Sequence, residues 1–249
     1  MSGHSKWSQI KRQKGLADAR RGQVFTKLGR EITVAARQGG GDAETNARLR
    51  LAIERAREAN MPKDNIERAI KRGTGGEAGA AQLEEIVYEG YGPGGIAILV
   101  EALTDNRNRA VSDIRNVFAR GGGNLGEAGS VAWQFETRGV ITLDANGRDP
   151  DDLALLAIDS GADDVSVDAA SVEVYTRPES LADVRQRLAD AEVPVVSAEV
   201  MKVPKTTVAL NARQAEQVLR LLDKLDELDD VQRVSSNADF PEEVLAAYA

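Results

Sequence analysis

The chain has no cysteine, which excludes disulfides, thiolate zinc sites and cysteine nucleophiles. It has one histidine, His4, in a segment with little to bury, so Ser–His–Asp chemistry and histidine-held metals have no framed partner. Aromatic residues make up only 4% of the chain, which leaves Ala, Val, Leu and Ile to build the cores. No signal-type apolar stretch opens the sequence, and apolar runs such as IAILV (96–100) fall far short of the roughly twenty residues that span a bilayer. These absences lead to the expectation of a soluble, cytoplasmic protein that does not contact membranes, with no framed catalytic or metal set and no expected cofactor.

What is present is an uneven charge. The net charge is −8, yet residues 1–75 hold 17 Lys/Arg against 8 Asp/Glu, a balance of +9. The remaining 15 basic and 32 acidic residues give −17 for residues 76–249. Such segregation points to an anionic partner for the front of the molecule, against the plainer reading of a solubilising basic helical domain.

The period of the apolar residues changes once along the chain. From Asp18 to Gln38, Phe25, Leu28, Ile32 and Ala35 recur at helical spacing. Leu49, Ala52, Ile53 and Ala56 mark a second helix. A third starts near Pro62, where Asp64 and Glu67 have capping-box spacing, and ends at Gly73. After the glycine-rich linker GTGGEAGAA the pattern becomes strand-like: LEEIVYEGY and GIAILVEAL flank a GPGG turn, a helix follows over 107–120, and VAWQFE reads as a further strand. Residues 139–203 give βαββαβ, the ferredoxin-like order. The flanking elements, with TTVAL as a strand, read as a circular permutation of the same order. The expected fold class is α+β, with a three-helix N-terminal domain followed by two ferredoxin-like domains, one inserted into the other. The expected boundaries are 1–75 (basic arm and helices), 76–138 plus 204–249 (discontinuous domain) and 139–203 (acidic inserted domain, 5 basic and 14 acidic residues).

Local motifs are mostly helix and turn chemistry. GTGGEAG and GGGNLGEAG follow helices, whereas a phosphate loop follows a strand and precedes a helix. Asp149-Pro150-Asp151-Asp152 reads as N-cap, first-turn proline and first-turn acids, and the pairs Asp163/Asp164 and Asp229/Asp230 as solvated turn acids. TDNRNR (104–109) is different. It joins a strand to a helix with Thr104 or Asp105 as cap, and puts Arg107 and Arg109 where a cation opposes the helix dipole. Arg107, Asn108 and Arg109 are therefore candidates for a second anion site, the alternative being neutralisation by Asp105 and Glu101. The opening segment MSGHSKWSQIKRQKGLADARRG has six basic side chains and one acid. Lys6, Lys11, Arg12, Lys14, Arg20 and Arg21 are candidate phosphate contacts. Trp7 is a candidate for stacking on a base, or else docks on the helical bundle.

GHSKW (3–7), FTKLGREI (25–32), YEGYGPGG (88–95), TDNRNR and GGNLGEAGSVAW (122–133) resemble the YebC/PmpR family. That family includes the mitochondrial translational activator of cytochrome c oxidase subunit I. Lys27 and Arg30, in the basic helical segment, join the candidate nucleic-acid contacts, and the likeness implies a three-domain, non-enzymatic regulator of gene expression. Its members are described as transcriptional regulators binding promoter DNA, or as ribosome-associated translation factors relieving stalling at proline-rich stretches. The partners it implies are nucleic acid (promoter DNA, or ribosomal or transfer RNA) and the ribosome, and it supplies no catalytic set. The competing classes are a protein-interaction adaptor and a small-ligand-binding module built on the acidic α+β domains.

Overall fold

The structure, a computed structural model, describes residue 7 and residues 18–75, 83–145, 147–168 and 171–248, with residues 18–20 described by their backbone only. From Asp18 onward three helices follow one another: α1 (Asp18–Gly39), α2 (Ala47–Glu58) and α3 (Lys63–Gly73). Leu28, Ile32 and Ala35 of α1 meet Leu49, Ala52, Ile53 and Ala56 of α2 and Ile66 of α3 in one core, as the helical spacing predicts. Asn46 ties the first two helices together. Its side-chain oxygen accepts the Leu49 N–H at 3.0 Å, capping α2, while its amide donates to the Ala35 and Gly40 carbonyls at 2.8 and 2.9 Å. The capping box expected of Asp64 and Glu67 does not form. Pro62 occupies the N-cap and has no side-chain oxygen to offer, and Glu67 pairs with Lys63 at 3.5 Å instead.

In the discontinuous unit, β1 (Glu84–Tyr91) and β2 (Ala97–Thr104) form the expected hairpin, in register from Glu84 opposite Thr104 to Tyr91 opposite Ala97. Helix α4 (Arg107–Arg120) ends in Gly121–Gly123. A Cβ on Gly123 would stand 2.4 Å from the Tyr91 carbonyl oxygen, so the glycine run lets β3 (Asn124–Leu125) close onto β1. VAWQFE is not a strand throughout. Residues 132–134 form a 3-10 turn, and β4 (Phe135–Asp144) begins at the phenylalanine and runs unbroken through GVITLD. The cause is Glu89, whose carboxylate takes the N–H groups of Gly129, Val131 and Ala132 at 2.6, 2.7 and 2.7 Å and removes them from any ladder.

The second sheet contains β4, β5 (Asp164–Val167), β6 (Ser171–Thr176) and β7 (Val195–Pro204) in the order β5-β6-β4-β7, every neighbouring pair antiparallel. This is the ferredoxin-like arrangement. Helices α5 (Pro150–Asp159) and α6 (Leu181–Asp190) cover it through Leu153, Ala157, Leu181, Val184 and Leu188. The β4–β7 ladder runs from Phe135 opposite Pro204 to Leu143 opposite Val195, so positions 139 and 203 lie within its strands.

The chain then returns through β8 (Val208–Ala209), α7 (Ala212–Asp226), β9 (Val231–Ser236), β10 (Ala238–Asp239) and α8 (Glu242–Tyr248). The first sheet has the order β3-β1-β2-β9. Read as β9-β2-β1-β3 it has the spatial plan of the inserted sheet, but it is not the circular permutation expected. β1 leads straight into β2 across the hairpin, and the TTVAL segment pairs with β10 outside the sheet. The edge position belongs to β3, brought there by the glycine run. The fold is thus α+β, a three-helix domain followed by two ferredoxin-like units, one inserted into the other. One carboxylate touches all three. Glu199 of β7 lies 2.7 Å from Arg233 of β9 and 3.6 Å from Arg55 of α2.

Candidate nucleic-acid interface

The inner face of α1 is fastened to the discontinuous unit by two of the cations that sequence reading assigned to nucleic acid. Lys27 donates to the Asp226 carbonyl and stands 3.5 Å from the Asp226 carboxylate. Arg30 donates to Oδ1 of Asp230 and the Asp229 carbonyl, both at 2.7 Å, and to the Leu103 carbonyl at 3.1 Å. Asp230 is only 7% exposed and is also held by Arg109, whose Nε and Nη2 lie 3.1 and 3.0 Å from Oδ2. It is a buried joint between domains and not the solvated turn acid expected of the Asp229/Asp230 pair.

TDNRNR divides accordingly. The cap of α4 is Asn106, neither Thr104 nor Asp105: its side-chain oxygen accepts the Arg109 N–H at 3.0 Å, and its own N–H is fixed by the Thr104 hydroxyl. Arg109, although partly exposed, turns toward Asp230 and also donates to Asp105 at 2.6 Å. Its hydrogen bonds to Asp105 and Asp230 push the guanidinium pKa up, and the bond from Arg109 pulls the Asp105 carboxyl down. Arg107 and Asn108 face solvent, and Arg107 makes no ion pair among the described residues. Its positive charge counteracts the rise that burial imposes on the Tyr88 phenol.

Trp7 is in a core, at 3% exposure, with Ile114, Leu221, Leu225 and Val231. That core belongs to the discontinuous unit, not to the helical bundle on which the alternative reading placed it. Its indole N–H lies 3.2 Å from Oδ1 of Asp223, whose Oδ2 accepts the Tyr248 hydroxyl. In this arrangement the ring offers no face to a base. Lys6, Lys11, Arg12 and Lys14 lie outside the described residues; Arg20 is in the first turn of α1, and Arg21 is exposed on it.

Beside this joint lie two open clefts. One, about 550 Å³, separates α1 and α3 from the β2–α4 loop and gathers Arg30, Arg68 and Arg72 against the single carboxylate of Asp105. The other, about 460 Å³, lies between α4 and the α7–β9 loop, where Asp113, Asp229 and Asp230 meet Arg30 and Arg109. The perturbed groups here are perturbed by pairing with each other. Sequence reasoning missed Asp230, Asp223 and Glu89, because a buried carboxylate and a turn carboxylate read alike in sequence. Trp133 was also missed, although it is one of only two tryptophans.

The described residues contain no helix long and apolar enough to cross a membrane. Residues 5–76 match the family description "TACO1/YebC protein N-terminal domain", and residues 83–238 match "TACO1/YebC second and third domain". A probable transcriptional regulatory protein of Thermomicrobium roseum is 56% identical over 247 residues, covering 99% of this chain and 100% of that protein. One of Dehalococcoides mccartyi is 57% identical over 248 residues, covering 100% and 98%. The crystal structure of the conserved hypothetical protein Aq1575 of Aquifex aeolicus superposes with a TM-score of 0.84 at 48% identity, over 92% of this chain and 94% of that one.

Proposed function

The chain belongs to the TACO1/YebC family, and on that premise we propose that it is a non-enzymatic, nucleic-acid-binding regulator of gene expression, in keeping with relatives named probable transcriptional regulatory proteins. The observation that carries this reading is the contrast between its cations. Lys27, Arg30 and Arg109 are consumed in holding the domains together. Lys6, Lys11, Arg12 and Lys14 flank a tryptophan that anchors the segment to a core. The phosphate grip therefore belongs to the arm, with Arg20 and Arg21 of α1, and a second contact belongs to Arg107 and Asn108. Phosphates bound this way release counterions, so affinity is strongly dependent on salt.

Between promoter DNA and ribosomal or transfer RNA, the inserted domain favours the ribosome. Its 14 acidic against 5 basic residues repel a duplex and suit a basic protein surface. Crosslinking in cells followed by sequencing of the attached nucleic acid tests this. Recovered ribosomal or transfer RNA supports a translational role, and enriched promoter DNA moves the reading to transcription. A protein-interaction adaptor has one observation in its favour: Leu155 and Ile158 are exposed on α5 beside Asp151, Asp152 and Asp159. Recovery of protein alone, without nucleic acid, would favour that class.

A further inference from the structure

We propose that Trp133 is a stacking platform for an unpaired base of a single-stranded nucleic acid, with Lys205 and Lys202 receiving the adjoining phosphates. The inference rests on the nucleic-acid reading above but concerns a different part of the molecule, at the junction between the discontinuous and inserted units.

Trp133 is 68% exposed, the most exposed of the large apolar side chains on the described surface. An exposed indole is often only a mobile surface residue; this one is fixed from both sides. Before it, the Val131 and Ala132 N–H groups are bound to the buried Glu89 carboxylate. After it, the Gln134 carbonyl accepts the Lys205 N–H at 2.8 Å, and the Gln134 side chain accepts from Asn237 at 3.1 Å. The indole N–H is spent on the Ser130 carbonyl at 3.1 Å. What remains available is the π-face, held at a defined orientation with little entropy left to lose on binding.

The surroundings select the occupant. Lys205 donates to the Trp133 carbonyl at 2.9 Å, which puts an ammonium group at the backbone that carries the ring, and Lys202 donates to the Thr137 hydroxyl at 2.7 Å. Both lysines are bonded to neutral oxygens, and neither makes an ion pair with a carboxylate among the described residues. Glu136, the acid at the near end of β4, is already paired with Arg138 at 2.7 Å. A protein hot spot would set the tryptophan among other apolar groups. Here Lys205 sits at the backbone of Trp133, and Lys202, opposite Thr137 on the neighbouring strand, lies further along the same β4–β7 ladder, the pairing of an aromatic face with cations that single-strand binders use.

The test uses the full chain and labelled oligouridylate and oligothymidylate, read by anisotropy at low salt. Trp133→Ala should weaken binding about tenfold or more, and Trp133→Phe should restore most of it, because stacking on an aromatic face is what is lost. Lys205→Gln should lower the slope of log affinity against log salt by about 0.7. The oligonucleotide should quench tryptophan emission in the wild type and not in Trp133→Phe, whose remaining indole, Trp7, is buried. Affinity within twofold of wild type for Trp133→Ala, with binding still lost on neutralising the arm, overturns this inference in favour of a protein contact and leaves the proposed function standing. No binding of any single or double strand by the wild type overturns both.

Discussion

The indole nitrogen of Trp7 lies 3.2 Å from the carboxylate of Asp223 across 216 residues of chain. This bond, with the burial of the ring, makes Trp7 part of the discontinuous unit's core, through a carboxylate that also accepts the Tyr248 hydroxyl. Trp7→Ala should therefore destabilise that unit by about 3–5 kcal/mol, whereas Trp7→Phe keeps most of the packing and loses the hydrogen bond. Thermal unfolding of the two variants checks this. A Trp7→Ala protein as stable as wild type would show that the ring contributes no packing.

The Arg30–Asp230–Arg109 joint makes a second prediction. Removing the shared carboxylate leaves two arginines facing each other across a domain contact. Asp230→Ala should cost about 2–4 kcal/mol, below the full value of a buried pair because Arg109 is partly exposed. Arg109→Ala alone should cost less, since Arg30 still pairs with Asp230 at 2.7 Å. A double-mutant cycle on Arg109 and Asp230 should show clear coupling, and strictly additive effects would argue against the joint.

Much of this was legible in the sequence, and the exceptions share a cause. Helical stripes in α1 and α2 and the βαββαβ order of the insert follow from apolar periodicity, which reports burial directly. The VAWQ turn was illegible because its cause is Glu89, some forty residues away, which reads in sequence as an ordinary strand acid. Asp230 and Trp7 were illegible for the same reason. Whether a charged or aromatic side chain faces solvent depends on a surface supplied by distant chain, and nothing in its own neighbourhood encodes that. Lys27 and Arg30 sit in a basic segment and look like phosphate contacts until the carboxylates of residues 226 and 230 are placed opposite them.

Glu89 gives the molecule an acid-sensitive element. Burial pushes its carboxyl up, but the three N–H donors outweigh this and hold its pKa below the ordinary value. A group lowered on folding stabilises above its unfolded pKa, and that stability is lost as pH falls through the folded value. Glu89→Gln should cost about 2–3 kcal/mol at neutral pH and should flatten the stability profile on the acidic side. The emission anisotropy of Trp133 should fall as the loop loosens. A profile unchanged in shape would mean that the carboxylate does not set the loop.

Glu199, held between Arg233 and Arg55, should govern how the three units sit together. Burial lowers the Arg55 pKa, but Glu199, Glu31 and Glu58 more than compensate and raise it overall. Glu199→Gln removes the only carboxylate common to both arginines' ion pairs among the described residues. Small-angle scattering should then show a larger radius of gyration than wild type, with each unit still folded by circular dichroism. An unchanged scattering profile would place the domain coupling elsewhere.

The central claim is that the arm, not the paired cations of α1 and α4, grips phosphate. Deleting the arm would also remove Trp7 from a core, so the measurement must keep the tryptophan and neutralise Lys6, Lys11, Arg12 and Lys14 to glutamine. With six arm charges engaged, log affinity for duplex should fall against log salt with a slope of about −5, and for a single strand about −4. The four-fold variant should retain wild-type thermal stability and lose about 3.6 units of the duplex slope and about 2.8 of the single-strand slope. An unchanged slope in a stably folded variant would contradict the account.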